Sequence, residues 1–153
     1  MATRFRTKRK IEFSDTDMAG IVHFARFFVF METAEHEFLR SLGTSVSTTV
    51  DGNQIGWPRL QASCEYLKPL RFEEEVEIQM AVFRKGKKSI TYDFEFRRSQ
   101  DLIARGQITA ACCVCNPGEP IRAIAIPDHV AGQIEGASES RAEGLSNSPK
   151  SSL

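Results

Sequence analysis

Between about residues 24 and 42 the apolar side chains leave almost no polar face. Phe24, Phe27, Phe28, Met31, Ala34, Phe38, Leu39 and Leu42 recur at steps of three and four, the stripe of a helix. Val29 and Phe30 widen that stripe, so the first half is apolar nearly all round. A helix of this kind has to be buried on most sides. Gly43 follows and suits the left-handed stop after a helix. Glu32, Glu35, His36, Glu37 and Arg40 fall mostly in the second half, which should lie nearer water. A chain of 153 residues fits one domain with a single core, and the rest of that domain must surround this helix.

The remaining pattern is strand. Residues 75–83 alternate strictly, Val76, Ile78, Met80 and Val82 against Glu75, Glu77, Gln79 and Ala81. Residues 89–97 alternate again, with Ile90, Tyr92, Phe94 and Phe96 on one side. "RKGKK" and "RSQD" turn the chain between strands. Residues 59–67 place Leu60, Ala62, Cys64 and Tyr66 on one face, and residues 102–115 read as one longer strand ended by "NPGEP". Residues 4–13 suggest a further strand with Arg4, Arg6, Lys8 and Lys10 on its solvated face. "GTSVSTTVDGNQIGWPRL" reads as a loop, and "IRAIAIPDHV" closes the domain. Alternation with short turns means an antiparallel meander with one buried face. The economical α+β arrangement wraps a curved sheet of four or five strands around the helix. Its free edge invites a second subunit. The domain is expected to span residues 1–136. From Ala137 the chain is small and polar, and a disordered tail is expected over 137–153.

Charge and cysteines exclude several functions. Twenty basic and 20 acidic residues cancel, so no global field gathers nucleic acid or anionic membrane. No segment approaches the ~20 apolar residues of a membrane span, and the basic N-terminus has no apolar core of a signal peptide. The chain therefore reads as cytoplasmic, with Cys64, Cys112, Cys113 and Cys115 reduced. Cys112 and Cys115 have a CxxC spacing, but "AACCVC" is a strand pattern, and His23, His36 and His129 show no paired ligand spacing. Neither metal nor cofactor is expected.

One stretch carries chemistry. In "FSDTDMAGIVHFARFF", residues 13–28, Asp15 and Asp17 sit one residue apart beside a phenylalanine-rich run. Both acids fit turn or cap residues. Asp17 also lies between the first strand and the helix, and Gly20 lets the backbone bend or approach a ligand. The first turn of a helix offers unpaired N–H groups that can hold an oxyanion. An aspartate opposite them can act on a carbonyl as nucleophile or general base, and the phenylalanines would make a dry acyl pocket.

The segment "KIEFSDTDMAGIVHFARFFVFMETAEHEFLRSLG" resembles the opening of the 4-hydroxybenzoyl-CoA thioesterase family of hotdog-fold enzymes. The resemblance continues through "GWPRLQASCEYLKPLRFEEEVEI", "FRKGKKSITYDFEF" and "IRAIAIP" and covers roughly residues 8–130. It implies a hotdog fold, active sites at a dimer interface, commonly a tetramer of two dimers, and metal-free hydrolysis of an acyl-CoA thioester to free acid and coenzyme A. It implies that Asp17 is the catalytic carboxylate and that the oxyanion donor is the backbone N–H at or near Phe24. Asp15 is then scaffold. His23 departs from the Trp or Tyr often found at its position, and is a pocket or proton-transfer candidate beside a packing reading. Arg84, Lys87, Lys88 and Ser89 are expected to contact the phosphates of coenzyme A, with Arg122 a further candidate. Trp57 is expected to shape the acyl pocket or to pack at an interface.

The leading expectation is an acyl-CoA thioesterase acting on an aryl or short-chain group. Two alternatives on the same fold are a non-catalytic acyl-thioester-binding module and a hotdog dehydratase. A binder has no need of Asp17 at the helix mouth, and a dehydratase would hydrate an enoyl thioester. Acyl carrier protein in place of coenzyme A is also compatible with these residues.

Overall fold

The structure, a computed structural model, describes residues 4–134. The tail expected over 137–153 lies outside the described residues. In chain order the elements are β1 (Phe5–Lys10), α1 (Arg26–Ser41), β2 (Thr48–Val50), β3 (Asn53–Gly56), β4 (Arg59–Tyr66), β5 (Glu75–Lys85), β6 (Ser89–Arg98), β7 (Asp101–Ala111), β8 (Cys113–Val114) and β9 (Arg122–Ala123). A second helix, α2, begins at 128 and runs to the end of the described residues at 134.

The apolar stripe becomes α1, buried as its composition demands. Phe30, Met31 and Ala34 are fully enclosed, and Phe27, Phe38 and Leu39 nearly so. Each large apolar side chain buried this way contributes about 1.5–3 kcal/mol. The helix starts at Arg26, not at Phe24, because residues 24 and 25 form a turn ahead of it. It ends at Leu42, and Gly43 takes a φ of 80° just beyond.

A five-stranded antiparallel sheet in the order β1-β5-β6-β7-β4 holds this helix. The alternating residues Val76, Ile78, Met80, Ile90, Tyr92, Phe94 and Phe96 all face inward and are buried. At Gly106 the contact leaves no room for a side chain. A Cβ there would overlap the Met31 thioether sulfur and lie 2.9 Å from its methyl. This is the hotdog architecture, α+β, with α1 wrapped by the sheet. No helix among the described residues is long and apolar enough to cross a membrane.

Three segments differ from their sequence reading. The expected loop after Gly43 contains the β2–β3 hairpin, turned by Asp51 and Gly52 at φ 51° and 77°. Two consecutive positive φ values are the signature of a tight hairpin, and Asp-Gly is its commonest sequence. The expected single strand over 102–115 breaks at Cys112. Its end, β8, leaves the main sheet and joins the small sheet β2-β3-β8-β9. Finally, β4 does not bury one clean face. Its register slips between Arg59 and Gln61, and Leu60 is 65% exposed. A β-bulge at an edge strand shifts a side chain out of the alternation in just this way.

Candidate active site

The chain leaves β1 at Lys10, buries Ile11 and makes a 3-10 turn over Phe13–Asp15. From here the two acids part. Asp15 is buried, and its Oδ1 accepts from Arg26 Nε at 2.9 Å and lies 2.7 Å from Arg26 Nη2. Its Oδ2 accepts the Glu12 N–H at 2.9 Å, and its carbonyl accepts the His23 N–H at 2.9 Å. Asp15 therefore ties the loop to the first residue of α1.

Asp17 faces outward from the same loop and is half-buried. Its Oδ1 accepts the Ala19 N–H at 2.8 Å, and its carbonyl accepts the Gly20 N–H at 2.9 Å. Gly20 sits at φ 76°, which glycine adopts without strain. This Asx turn fixes the carboxylate and leaves Oδ2 without a hydrogen bond among the described residues.

Beside Asp17 opens a cleft of about 420 Å3, within the range of small-molecule sites. Its walls are Ile21, Val22, Phe27, Leu67 and Leu70, together with Phe24 and Tyr66, and Asp17 is the one acid lining it. Lys68 is its one cation, and Lys68 Nζ is bonded to Asp101 at 3.0 Å. The segment after β4 is held against the Asp17 loop because the Val22 N–H donates to the Leu70 carbonyl at 2.8 Å. A groove of similar size, about 440 Å3, lies elsewhere on the sheet among Ser63, Glu65, Asp93, Glu95, Arg105 and Gln107. Its lining is mostly polar, with Gln107 donating to Asp93 at 2.8 Å.

Phe24 occupies the turn before α1. Its N–H makes no hydrogen bond among the described residues, whereas its carbonyl accepts the Tyr66 hydroxyl at 2.8 Å. The Tyr66 ring meets Phe27 edge-on at 5.2 Å. Partial desolvation of the hydroxyl, followed by the Cys64 thiol nearby, pushes Tyr66 up to about 12, although the side chain as a whole is 43% exposed. His23 is exposed, stacks on Phe24 at 4.6 Å, and accepts the Ala25 N–H on Nδ1 at 3.1 Å. It caps the turn and is not among the residues lining the cleft.

The other sequence candidates lie together, but not here. Arg84, Lys87, Lys88 and Ser89 occupy the β5–β6 hairpin, with Arg84, Lys87 and Lys88 exposed and Ser89 half-buried. Trp57 precedes β4 and packs partly on the core, and Arg122 is exposed on β9. Hydrogen bonds from Cys112 N–H to the Lys88 carbonyl and from Ile126 N–H to the Lys87 carbonyl gather these segments at one end of the sheet. The Asp17 cleft is at the opposite end. The ten residues of β6 separate the two, roughly 30 Å at the rise of a strand. Within one subunit the basic hairpin and the carboxylate do not meet. The residues that sequence reasoning missed are Tyr66, Leu67 and Leu70, and their only signal was the apolar "YLKPL" run closing a strand.

Comparison with known proteins follows this geometry. Residues 19–104 match the model of the Thioesterase superfamily. A putative esterase of Aquifex aeolicus is 32% identical over 110 residues, 71% of this chain and 84% of its own length. A 1,4-dihydroxy-2-naphthoyl-CoA hydrolase of Prochlorococcus marinus is 26% identical over 108 residues, 66% of this chain and 70% of its own. A solved 4-hydroxybenzoyl CoA thioesterase superposes with a TM-score of 0.74 at 17% identity, over 87% of this chain and 99% of its own. That likeness is one of fold. The resemblance read from the sequence holds at the level of the superfamily, and the 4-hydroxybenzoyl-CoA subfamily is a distant structural neighbour.

Proposed function

Because this chain belongs to the Thioesterase superfamily and is a thioester hydrolase, we propose that it hydrolyses an aryl acyl-CoA, with Asp17 as its catalytic carboxylate and the Phe24 N–H as its oxyanion donor. One observation carries this reading. Asp17, with one carboxylate oxygen that has no hydrogen bond among the described residues, and Phe24, whose backbone N–H has none either, line one apolar cleft. The thioester oxygen would accept from the Phe24 N–H, and that donor would stabilise the negative charge that develops on the oxygen as the carbon becomes tetrahedral. Asp17 then either takes the proton of an attacking water or attacks the carbonyl itself, forming an anhydride that water opens. In both routes the C–S bond breaks, coenzyme A leaves as its thiol, and the acyl group leaves as the acid. The aromatic lining of Phe24, Phe27 and Tyr66 favours an aryl group, as does the naphthoyl substrate in the name of one relative.

The same reading needs a second copy. β4 is an edge strand, and the exposed side chains Leu60, Tyr66 and Leu67 lie along or just beyond it. Antiparallel pairing of two β4 strands about a two-fold axis would bring the start of one beside the end of the other. Arg84, Lys87, Lys88 and Ser89, with Trp57 and Arg122, would then serve the partner's Asp17 cleft as contacts for coenzyme A. Two such dimers would make the tetramer.

Asp17→Asn keeps the size and the Asx turn and removes the charge. Thiol release over a panel of aryl and alkyl acyl-CoAs should fall by a factor on the order of 100 or more, with substrate affinity retained. Wild-type turnover in that variant would remove Asp17 from the mechanism.

A further inference from the structure

We propose that Tyr66 is a positioning residue of this reaction: its hydroxyl anchors the Phe24 carbonyl and so holds the turn that carries the Phe24 N–H beside Asp17 at the cleft. The inference rests on the reading of the site given above. In a regular helix the carbonyl of Phe24 would accept the N–H of Phe28, four residues on. Here that carbonyl accepts the Tyr66 hydroxyl at 2.8 Å, and the Phe28 N–H turns to the Ala25 carbonyl at 3.2 Å instead. The next bond outward, Arg26 N–H to the His23 carbonyl at 2.9 Å, is also a tight three-residue turn.

This accounts for the one place where the apolar stripe and α1 disagree. The stripe runs from Phe24, and α1 starts at Arg26. Three constraints fix the hydroxyl that makes the difference. Tyr66 is paired with Ala104 in the sheet, its ring is braced edge-on against Phe27, and it lines the same cleft as Asp17 and Phe24. Tyr66 is the last residue of β4. Without the hydroxyl the Phe24 carbonyl loses the bond that ties it to β4, and the turn that carries the donor is no longer held in register with Asp17.

Tyr66→Phe removes the hydroxyl and keeps the ring against Phe27. We expect kcat to fall about tenfold while KM stays within about twofold, a loss confined to the transition state. Two inhibitors read the same effect without turnover. A thioether analogue of the acyl-CoA, which has no carbonyl, should bind the variant as it binds the wild type. A fluoromethyl ketone analogue, which binds as an oxyanion mimic, should bind about tenfold more weakly. A kcat equal to wild type, or equal weakening of both analogues, would overturn the proposal, since a purely structural loss does not distinguish them. Asp17→Asn measured alongside separates the two levels. Loss in Asp17→Asn with wild-type rate in Tyr66→Phe removes only the role of Tyr66. Wild-type rate in Asp17→Asn removes the reading of the site and the role of Tyr66 with it.

Discussion

Glu35 is a buried acid that the proposed chemistry does not use. It lies on the inner side of α1, 1% exposed, with Oε2 at 2.5 Å from Arg59 Nη1. The other oxygen, Oε1, is buried with no hydrogen-bond partner among the described residues. Burial raises the Glu35 carboxyl above its ordinary value of 4.5, and the Arg59 guanidinium opposes that rise without cancelling it. The folded state therefore takes up the proton at higher pH than the unfolded chain does. The stability tied to that proton is fully present below about 4.5 and is lost as pH rises through the folded value. Glu35→Gln cannot titrate. Its melting temperature, followed by circular dichroism over a pH series, should gain on the wild type as pH rises from the acid side toward neutrality. Parallel curves for the two proteins would mean that Glu35 is ionised throughout. Asp15 shows the contrasting case, a buried acid with both carboxylate oxygens bonded.

At the scale of elements the helix and its sheet meet at Gly106 without room for a side chain. Adding one methyl there drives it into Met31, and the Ser63 carbonyl 3.3 Å away blocks the neighbouring strand from giving room. Gly106→Ala should cost about 1–3 kcal/mol of stability by overpacking, measured by urea unfolding at constant m-value. Met31→Ala should cost less in the Gly106→Ala background than in the wild type, because there it also removes the atoms the methyl strikes. Much of this element plan was legible beforehand. The stripe of α1 and the alternation of β5 and β6 are local patterns whose period names the element and its buried face. Asp17 and Phe24 were equally legible as a pair, because seven positions of one loop hold them near each other. Tyr66 was not. It reaches Phe24 across 42 residues, and only the sheet register brings its hydroxyl there. The β2–β3 hairpin was hidden for a different reason, since its strands are three and four residues long and too short to show a period, leaving Asp51-Gly52 as the sole sign.

At the scale of the molecule the spacing between the two ends of the sheet decides what one chain can do. Asp17 and Phe24, the proposed carboxylate and oxyanion donor, are at one end, and Arg84, Lys87 and Lys88 are at the other. In the two-fold pairing proposed for β4, each working site is made of the Asp17 end of one chain and the basic end of its neighbour. Two variants that are each inactive would then complement one another. Asp17→Asn keeps its lysines, and a Lys87→Ala/Lys88→Ala variant keeps its aspartate. In a dimer containing one of each, one site is intact and the other carries both defects. Random mixing of equal amounts makes about half of the dimers mixed, so about one quarter of wild-type turnover should return after the two are unfolded and refolded together. Refolded separately and then combined without exchange, they should stay silent. The heritable unit of this activity is then the pair of chains, and a dominant defect in one allele would silence only some of the sites it enters.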